Sequence, residues 1–102
     1  MKPVTLDPRA TAELDDAATW YAARREGLDV RLLDEVADVL VAIGGRPRSF
    51  PVLITGRETE IRCALLRTFP FAVVFLDMPH EVRVLAVAHS RRDPDYWLHR
   101  VR

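Results

Sequence analysis

The side chains best suited to chemistry lie near the end of the chain, in the segment "HSRRDPDYWLHR" that begins at His89. The imidazole of His89 can transfer protons near neutral pH, and the guanidinium groups of Arg91 and Arg92 match the oxygens of a phosphate or a carboxylate. Tyr96 and Trp97 each combine a large apolar body with one polar atom. The segment therefore indicates either proton transfer beside an anion or a surface that binds an acidic partner.

The same residues also have structural interpretations, which stay open on sequence alone. A histidine at a strand end often bonds a nearby backbone group, and a run of charges can simply keep a tail solvated. Tyr96 and Trp97 are predicted to pack rather than to react, and Trp20 and Tyr21 are predicted to lie in a helical core. Cys63 and the three histidines lack the spacing of a zinc site, so we expect no metal and no cofactor.

Composition indicates one small globular domain over residues 1–102. Residues 1–45 hold 5 Lys and Arg against 9 Asp and Glu, whereas residues 46–102 hold 10 Arg against 6 Asp and Glu. The second part either has an ordinary solvated surface or presents arginines to an acidic partner. The single cysteine excludes an internal disulfide. Because neither a secretion signal nor an apolar run of roughly 20 residues is visible, we expect a cytoplasmic protein without membrane contact.

The first part of the chain predicts a short strand in "KPVTL" and then a helix. Asp7 is the predicted N-cap, Pro8 occupies the first helical position, and Gly27 is the predicted C′ stop. One apolar stripe at helical spacing is predicted to face the core. Its members are Ala10, Leu14, Ala17, Ala18 and Tyr21.

A second helix is predicted over residues 28–43, ended by Gly44, Gly45 and Pro47. The short joint between the two helices predicts an antiparallel hairpin. The second helix has a broad apolar inner face. Its members are Leu32, Leu33, Val36, Ala37, Leu40 and Ile43.

After Pro51 the apolar period changes from helical to alternating, which predicts three antiparallel strands. They lie around Cys63, in "FPFAVVFLD" and in "EVRVLAVAH". The last two strands are apolar on both faces, and the helical hairpin can cover only one face of the sheet. We therefore predict that the tail folds back over the second face with Tyr96 and Trp97, beginning a short helix at Pro94, and that any uncovered part binds a partner.

Four segments, in this order, make the chain resemble the RelE/ParE superfamily of bacterial type II toxin–antitoxin systems. They are "A-x-A-E-L-D-D-A-x-x-W-Y", "G-L-D-V-R-L-L-D-E-V", "R-T-F-P-F-A-V-V-F" and "V-L-A-V-A-H-S-R-R-D-P-D-Y-W-L-H-R". The resemblance implies an α+β fold of order β-α-α-β-β-β, with an antiparallel sheet, an N-terminal helical hairpin and a short C-terminal tail helix. It also implies a toxin neutralised by an antitoxin that wraps it.

The superfamily divides by mechanism, and the residue match favours one branch. RelE-like members cut mRNA in the ribosome, whereas ParE-like members poison DNA gyrase. The strand around Cys63 has Arg62 but none of the lysines of the RelE-like pattern, and Ala72 stands in the slot of its third-strand arginine. Arg91 fits the slot after the last strand, and the tyrosine slot holds Trp97, with Tyr96 adjacent. The resemblance therefore implies a ParE-like toxin, with a ribosome-dependent mRNA endoribonuclease as the alternative.

These observations give a defined set of functional expectations. We predict a toxin that binds DNA gyrase, or alternatively the ribosome and mRNA, in a hetero-oligomer with a small acidic antitoxin encoded beside it. A toxin-fold module without toxicity is a third possibility. The predicted target-binding residues are Arg91, Arg92, Tyr96, Trp97 and Arg100. The candidate catalytic residues of a nuclease are Arg62, His89, Arg91 and Tyr96.

Overall fold

The computed structural model describes residues 1–54, 60–93 and 96–101. It contains five strands, two helices and two single turns of 3-10 helix at Pro47–Ser49 and Leu98–Arg100. In chain order the main elements are β1 (Val4–Leu6), α1 (Pro8–Arg24), α2 (Leu28–Gly45), β2 (Val52–Ile54), β3 (Ile61–Leu65), β4 (Phe71–Asp77) and β5 (Val82–His89). The predicted α+β fold is confirmed, but the predicted antiparallel sheet is mixed, because β1 lies parallel to β5. The short strand β2 was not predicted, because three residues are too few to show an alternating pattern.

The five strands form one mixed sheet in the order β1-β5-β4-β3-β2. β1 runs parallel to β5, while the other neighbours are antiparallel. The helical hairpin makes the connection that carries the chain from β1, at one edge, to β2 at the other. Phe71 lies opposite His89 and Asp77 opposite Val82, so the end of β5 and the start of β4 share one end of the sheet.

Asp7 defines the start of α1 through its side-chain contacts. Asp7 is the N-cap as predicted, and its Oδ1 accepts a hydrogen bond of 2.9 Å from the Arg9 backbone N–H. The buried carboxylate also pairs with the guanidinium groups of Arg9 at 2.9 Å and Arg83 at 3.3 Å. The hydrogen bond from the Arg9 side chain is the main reason that the pKa of Asp7 lies well below its usual range.

Gly27 has a different role from the predicted one. α1 ends at Arg24 with Arg25 as its C-cap, so Gly27 is not at C′. It adopts a left-handed φ of 87° and precedes α2 as its N-cap. Since this backbone conformation is strained for other residues, Gly27 forms the joint of the hairpin.

α2 continues two residues beyond the predicted end and buries a narrower face. Leu32, Val36 and Ile43 are buried as predicted. The prediction was wrong for Leu33, which is 41% exposed, and for Ala37, which is also exposed. Each lies one residue, or about 100°, further round the helix than a buried neighbour, which turns it away from the sheet.

Each face of the sheet has its own apolar core. The hairpin covers the first face, where Val73, Phe75 and Val84 are fully buried. The second face is covered by the tail, and Trp97 is only 3% exposed. This confirms that the tail folds back over the second face; Pro94, its predicted helix start, lies outside the described residues. The second core comprises Ile61, Cys63, Val74, Leu76, Leu85, Ala86, Ala88 and Trp97.

No helix in the described part of the chain is long and apolar enough to cross a membrane.

Candidate functional site

The outer edge of β5 is only partly paired with another strand. β1 pairs with residues 82–84, and β5 then continues to His89. Beyond Val84 the edge is satisfied by side chains: the Val87 N–H donates to Glu13 Oε1 at 3.0 Å, and the Leu85 carbonyl accepts from Arg100 Nη1, also at 3.0 Å. α1 and the tail thus take the place of a longer edge strand.

Glu13 is the residue through which α1, β5 and the tail are joined. Its Oε1 also accepts from Arg100 Nη1 at 3.1 Å, and its Oε2 accepts from the Tyr96 hydroxyl at 2.6 Å. Burial, followed by the hydrogen bond to Glu13, raises the pKa of Tyr96. The phenol is therefore neutral and its proton is committed to Glu13.

Sequence reasoning did not single out Glu13 as a functional residue. The available signal was its position on α1, three residues after Ala10 and four before Ala17, both of which are buried. Residues at these spacings share one side of a helix, so a carboxylate there needs partners in the protein.

A groove lies between α1, the end of β5 and the tail, and we call it the aromatic groove. Its deeper part is a cavity of about 300 Å³, and the adjoining part is a cavity of about 220 Å³. The deeper part is lined by Ala17, Trp20, Tyr21, Phe71 and His89. The adjoining part shares Ala17, Phe71 and His89, and adds Glu13, Asp16, Val87, Arg92 and Tyr96.

The rings of the groove are packed edge to face. The ring centroids of Tyr21 and Phe69 lie 4.9 Å apart, and those of Phe71 and His89 lie 5.1 Å apart. Trp20 was predicted to lie in the core, and this was wrong, because its side chain is 52% exposed. Its ring still packs against Tyr21, with the ring centroids 5.0 Å apart. The Arg24 guanidinium lies 4.0 Å from the Trp20 ring centroid, as in a cation–π contact.

The predicted basic residues of the tail lie beside this groove. His89 Nδ1 accepts a hydrogen bond of 3.0 Å from the Arg91 backbone N–H, the kind of backbone contact that its structural interpretation expects. The Arg92 guanidinium lies 4.0 Å from the Tyr96 ring centroid. The Arg91 side chain is exposed, with no ion pair to any described residue. Of the predicted target-binding residues, Arg92 and Tyr96 are therefore brought together at the groove.

Trp97 and Arg100 do not belong to that surface. Trp97 is buried in the second core, and the Arg100 side chain is only 8% exposed, between Glu13 and the Leu85 carbonyl. A buried side chain cannot contact a separate protein without first leaving its site. The structure thus corrects their assignment: they hold the tail in place.

Arg62 is separated from the other nuclease candidates. It lies opposite Phe75 of β4, whereas His89 lies opposite Phe71, so the two are about 13 Å apart along the strands alone. Its guanidinium donates to the Phe50 carbonyl at 2.7 Å and to Glu60 Oε1 at 2.7 Å. The four predicted catalytic residues therefore do not converge on one point.

The two groups of the groove that could transfer a proton are hydrogen-bonded within the protein. His89 Nδ1 and the Tyr96 hydroxyl are both engaged within the protein, so neither is poised to accept a proton from a substrate. Among residues 1–54, 60–93 and 96–101, no group of three or more His, Cys, Asp or Glu side chains is arranged to hold a metal ion. The groove therefore offers a partner exposed aromatic surface and arginines that have no carboxylate partner among the described residues.

Comparison with known proteins identifies a shared fold. No family model matches the chain, and no curated protein matches it. A chain of the solved structure described as "Chromosomal ParDE TA system from P. aeruginosa" is similar, with a TM-score of 0.60 and 19% sequence identity over 87% of this chain and 96% of that chain. The two helices and the mixed sheet thus share the fold of that chain.

Proposed function

We propose that this protein is the toxin of a type II toxin–antitoxin pair, of the ParE-like kind that inhibits growth by binding DNA gyrase. One observation carries the proposal: on this fold, His89, Arg92 and Tyr96 line a groove in which His89 Nδ1 and the Tyr96 hydroxyl are already bonded within the protein. Arg92 lines the part of the groove that adjoins an apolar cavity of about 300 Å³, and Trp20 adds exposed aromatic surface. Tryptophan and arginine are the residues most enriched at the energetic centres of protein interfaces.

The alternative is a RelE-like, ribosome-dependent endoribonuclease. The observation that favours it is that His89 and Tyr96 line one groove, and that the Arg91 backbone N–H donates to His89. In-line attack by a ribose hydroxyl also needs a free base and a free acid near the phosphate. Since Arg62 is remote and the Tyr96 hydroxyl donates to Glu13, a nuclease would require the tail to rearrange.

A cognate antitoxin is the second proposed partner, and α2 offers a surface for it. Val30, Leu33, Ala37 and Val41 recur at spacings of three and four residues and are all exposed, which makes a second apolar stripe on the outer side of the helix. An amphipathic helix of the partner can bury such a stripe. We propose that the antitoxin contacts this outer stripe.

Induced expression of the protein with two parallel readouts tests the function. We expect a DNA-damage response without codon-dependent mRNA cuts, and purified protein should trap purified gyrase on cleaved DNA. Cleavage of ribosome-bound mRNA that is abolished by Arg91→Ala would replace the gyrase proposal with the nuclease. Expression without either effect and without growth inhibition would leave only the non-toxic interaction module.

A further inference from the structure

We propose that the aromatic groove receives an aromatic side chain of the target protein whose neighbours in that target are carboxylates. This inference rests on the proposed function, because it names the chemistry of the segment through which the toxin recognises its target. It extends the arginine-based prediction from the sequence, which did not include the cavity or Trp20.

The shape and lining of the cavity indicate which side chain the groove receives. A volume of about 300 Å³ lies at the lower end of the range for ligand pockets, which suits one large side chain rather than a whole cofactor. Ala17, Trp20, Tyr21 and Phe71 make the lining apolar, and His89 supplies its polar atoms. Burial of one apolar ring in such a pocket is the usual way that an interface is anchored.

The charges around the cavity indicate which residues lie next to that side chain in the target. The Arg92 guanidinium lies over the Tyr96 ring on the adjoining part of the groove, and the Arg24 guanidinium lies over the Trp20 ring of the deeper part. Neither guanidinium belongs to an ion pair of the described residues. Glu13 does not offset them, because its charge is already paired with the Arg100 guanidinium. Asp16 is one opposing charge on the adjoining part of the groove. The excess of guanidinium groups favours carboxylates beside the anchor.

The same geometry disfavours a nucleic-acid base as the occupant. Stacking requires an aromatic face that is open to a planar ring. The Arg24 guanidinium covers a face of Trp20, and Tyr21 and Phe71 contact other rings edge to face. A protein side chain, which packs without stacking, fits this lining better.

Small probes can test the groove without knowledge of the target. Nitrogen-15 NMR of the whole protein is recorded during titration with 3-phenylpropionate, with 3-phenylpropylamine and with adenosine monophosphate. The two phenyl compounds share a ring and differ in charge. We expect saturable shifts of the Trp20 indole N–H and of the Ala17 and Phe71 amides with the carboxylate, and roughly tenfold weaker binding of the amine.

A matched pair of variants locates the binding. Ala17→Leu fills the cavity, and Ala22→Leu places the same side chain on the exposed side of α1. We expect Ala17→Leu to weaken both phenylpropionate and gyrase binding by about tenfold or more, and Ala22→Leu to change neither. If Ala17→Leu lowers the melting temperature, Trp20→Ala replaces it, because that half-exposed ring contributes less to the core.

Each other outcome has a definite meaning. If the wild type does not bind gyrase, the proposed function fails, while the probe titration still decides the chemistry of the groove. Equal binding of the two phenyl compounds, or preferential binding of adenosine monophosphate, would overturn the inference. Gyrase binding by a variant with a filled cavity would also overturn the inference. The same holds if that variant loses only antitoxin binding or self-association.

Discussion

The Tyr96 hydroxyl donates a hydrogen bond of 2.6 Å to Glu13 Oε2, and this contact joins residues 83 positions apart in the chain. The same carboxylate accepts from the Val87 N–H and from Arg100, so one side chain links α1, β5 and the tail. The position of the aromatic groove depends on this junction, because the groove lies between the three elements that Glu13 connects.

Replacement of Glu13 should release the tail. In Glu13→Ala the Arg100 guanidinium, which is 8% exposed, loses its carboxylate, and the Val87 N–H loses its acceptor. We expect a loss of about 3 kcal/mol in the free energy of unfolding, measured by urea denaturation. Tyr96→Phe, which removes only one hydrogen bond, should cost about 1 kcal/mol. An exposed control, Asp15→Ala, should stay close to the wild type; equal effects for Glu13 and Asp15 would contradict the junction.

Replacement of Trp97 should reduce toxicity through loss of stability. The ring is 3% exposed in the second core, so Trp97→Ala leaves a cavity and should cost about 3 to 5 kcal/mol. Soluble yield and melting temperature should fall together with growth inhibition. Full thermal stability in a non-toxic Trp97→Ala variant would instead return Trp97 to the target-binding surface.

Charge reversal at Arg91 should reduce toxicity without loss of stability, in contrast to Trp97→Ala. The Arg91 side chain has no ion pair with any described residue, so Arg91→Glu should change the free energy of unfolding by less than about 0.5 kcal/mol. It should abolish growth inhibition, because carboxylates of the target would meet a like charge. Toxicity and melting temperature measured side by side give the answer, and a fully toxic Arg91→Glu variant would move the functional surface away from the tail.

Arg92→Glu differs from Arg91→Glu in its expected cost. The Arg92 guanidinium lies over the Tyr96 ring, and loss of that contact should cost about 0.5 to 1 kcal/mol in addition to the loss of toxicity. Arg92→Lys, which keeps the charge, should recover toxicity in part. If Arg92→Lys is as inactive as Arg92→Glu, the planar guanidinium rather than its charge is what the target requires.

Stability at low pH should depend on Asp7. Its pKa is held below the usual value, chiefly by the hydrogen bond from the Arg9 side chain, so the unfolded chain binds a proton before the folded protein does. The resulting stability is present above the unfolded pKa, near 4, and is lost as pH falls below it. Asp7→Asn should therefore be less stable at pH 7 and show a weaker decline between about pH 4 and 2, in urea denaturation at each pH. An unchanged pH profile would contradict this coupling.

The outer stripe of α2 should be needed for antitoxin binding and not for folding. Val41 is 62% exposed, so Val41→Asp should leave the melting temperature nearly unchanged and weaken the complex. Ala23→Asp, on the exposed side of α1, serves as the control for added charge. Hydrogen exchange with and without the antitoxin should show new protection in residues 28–43. Protection absent from those residues and from residues 60–88 would rule out this surface.

Local sequence features determined most of the secondary structure. Asp7 and Pro8 defined the start of α1 through capping, and the change of apolar period after Pro51 defined β3, β4 and β5. The apolar character of both faces of β4 and β5 also required a second cover, which Trp97 supplies. These inferences succeeded because each depends on neighbours within a few residues or on the need to bury apolar surface.

Contacts between distant elements were decided only by the tertiary structure. The spacing of Arg62 and His89 in the sequence does not reveal that they lie about 13 Å apart along the strands, since this follows from the registers of β3 and β5 with β4. Likewise, whether Trp20 is exposed and whether Glu13 meets Arg100 depends on where α1 lies over the end of β5. A helical pattern gives the side of the helix that is buried. Which distant side chains meet it depends on the packing of whole elements, and the aromatic groove is formed by that packing.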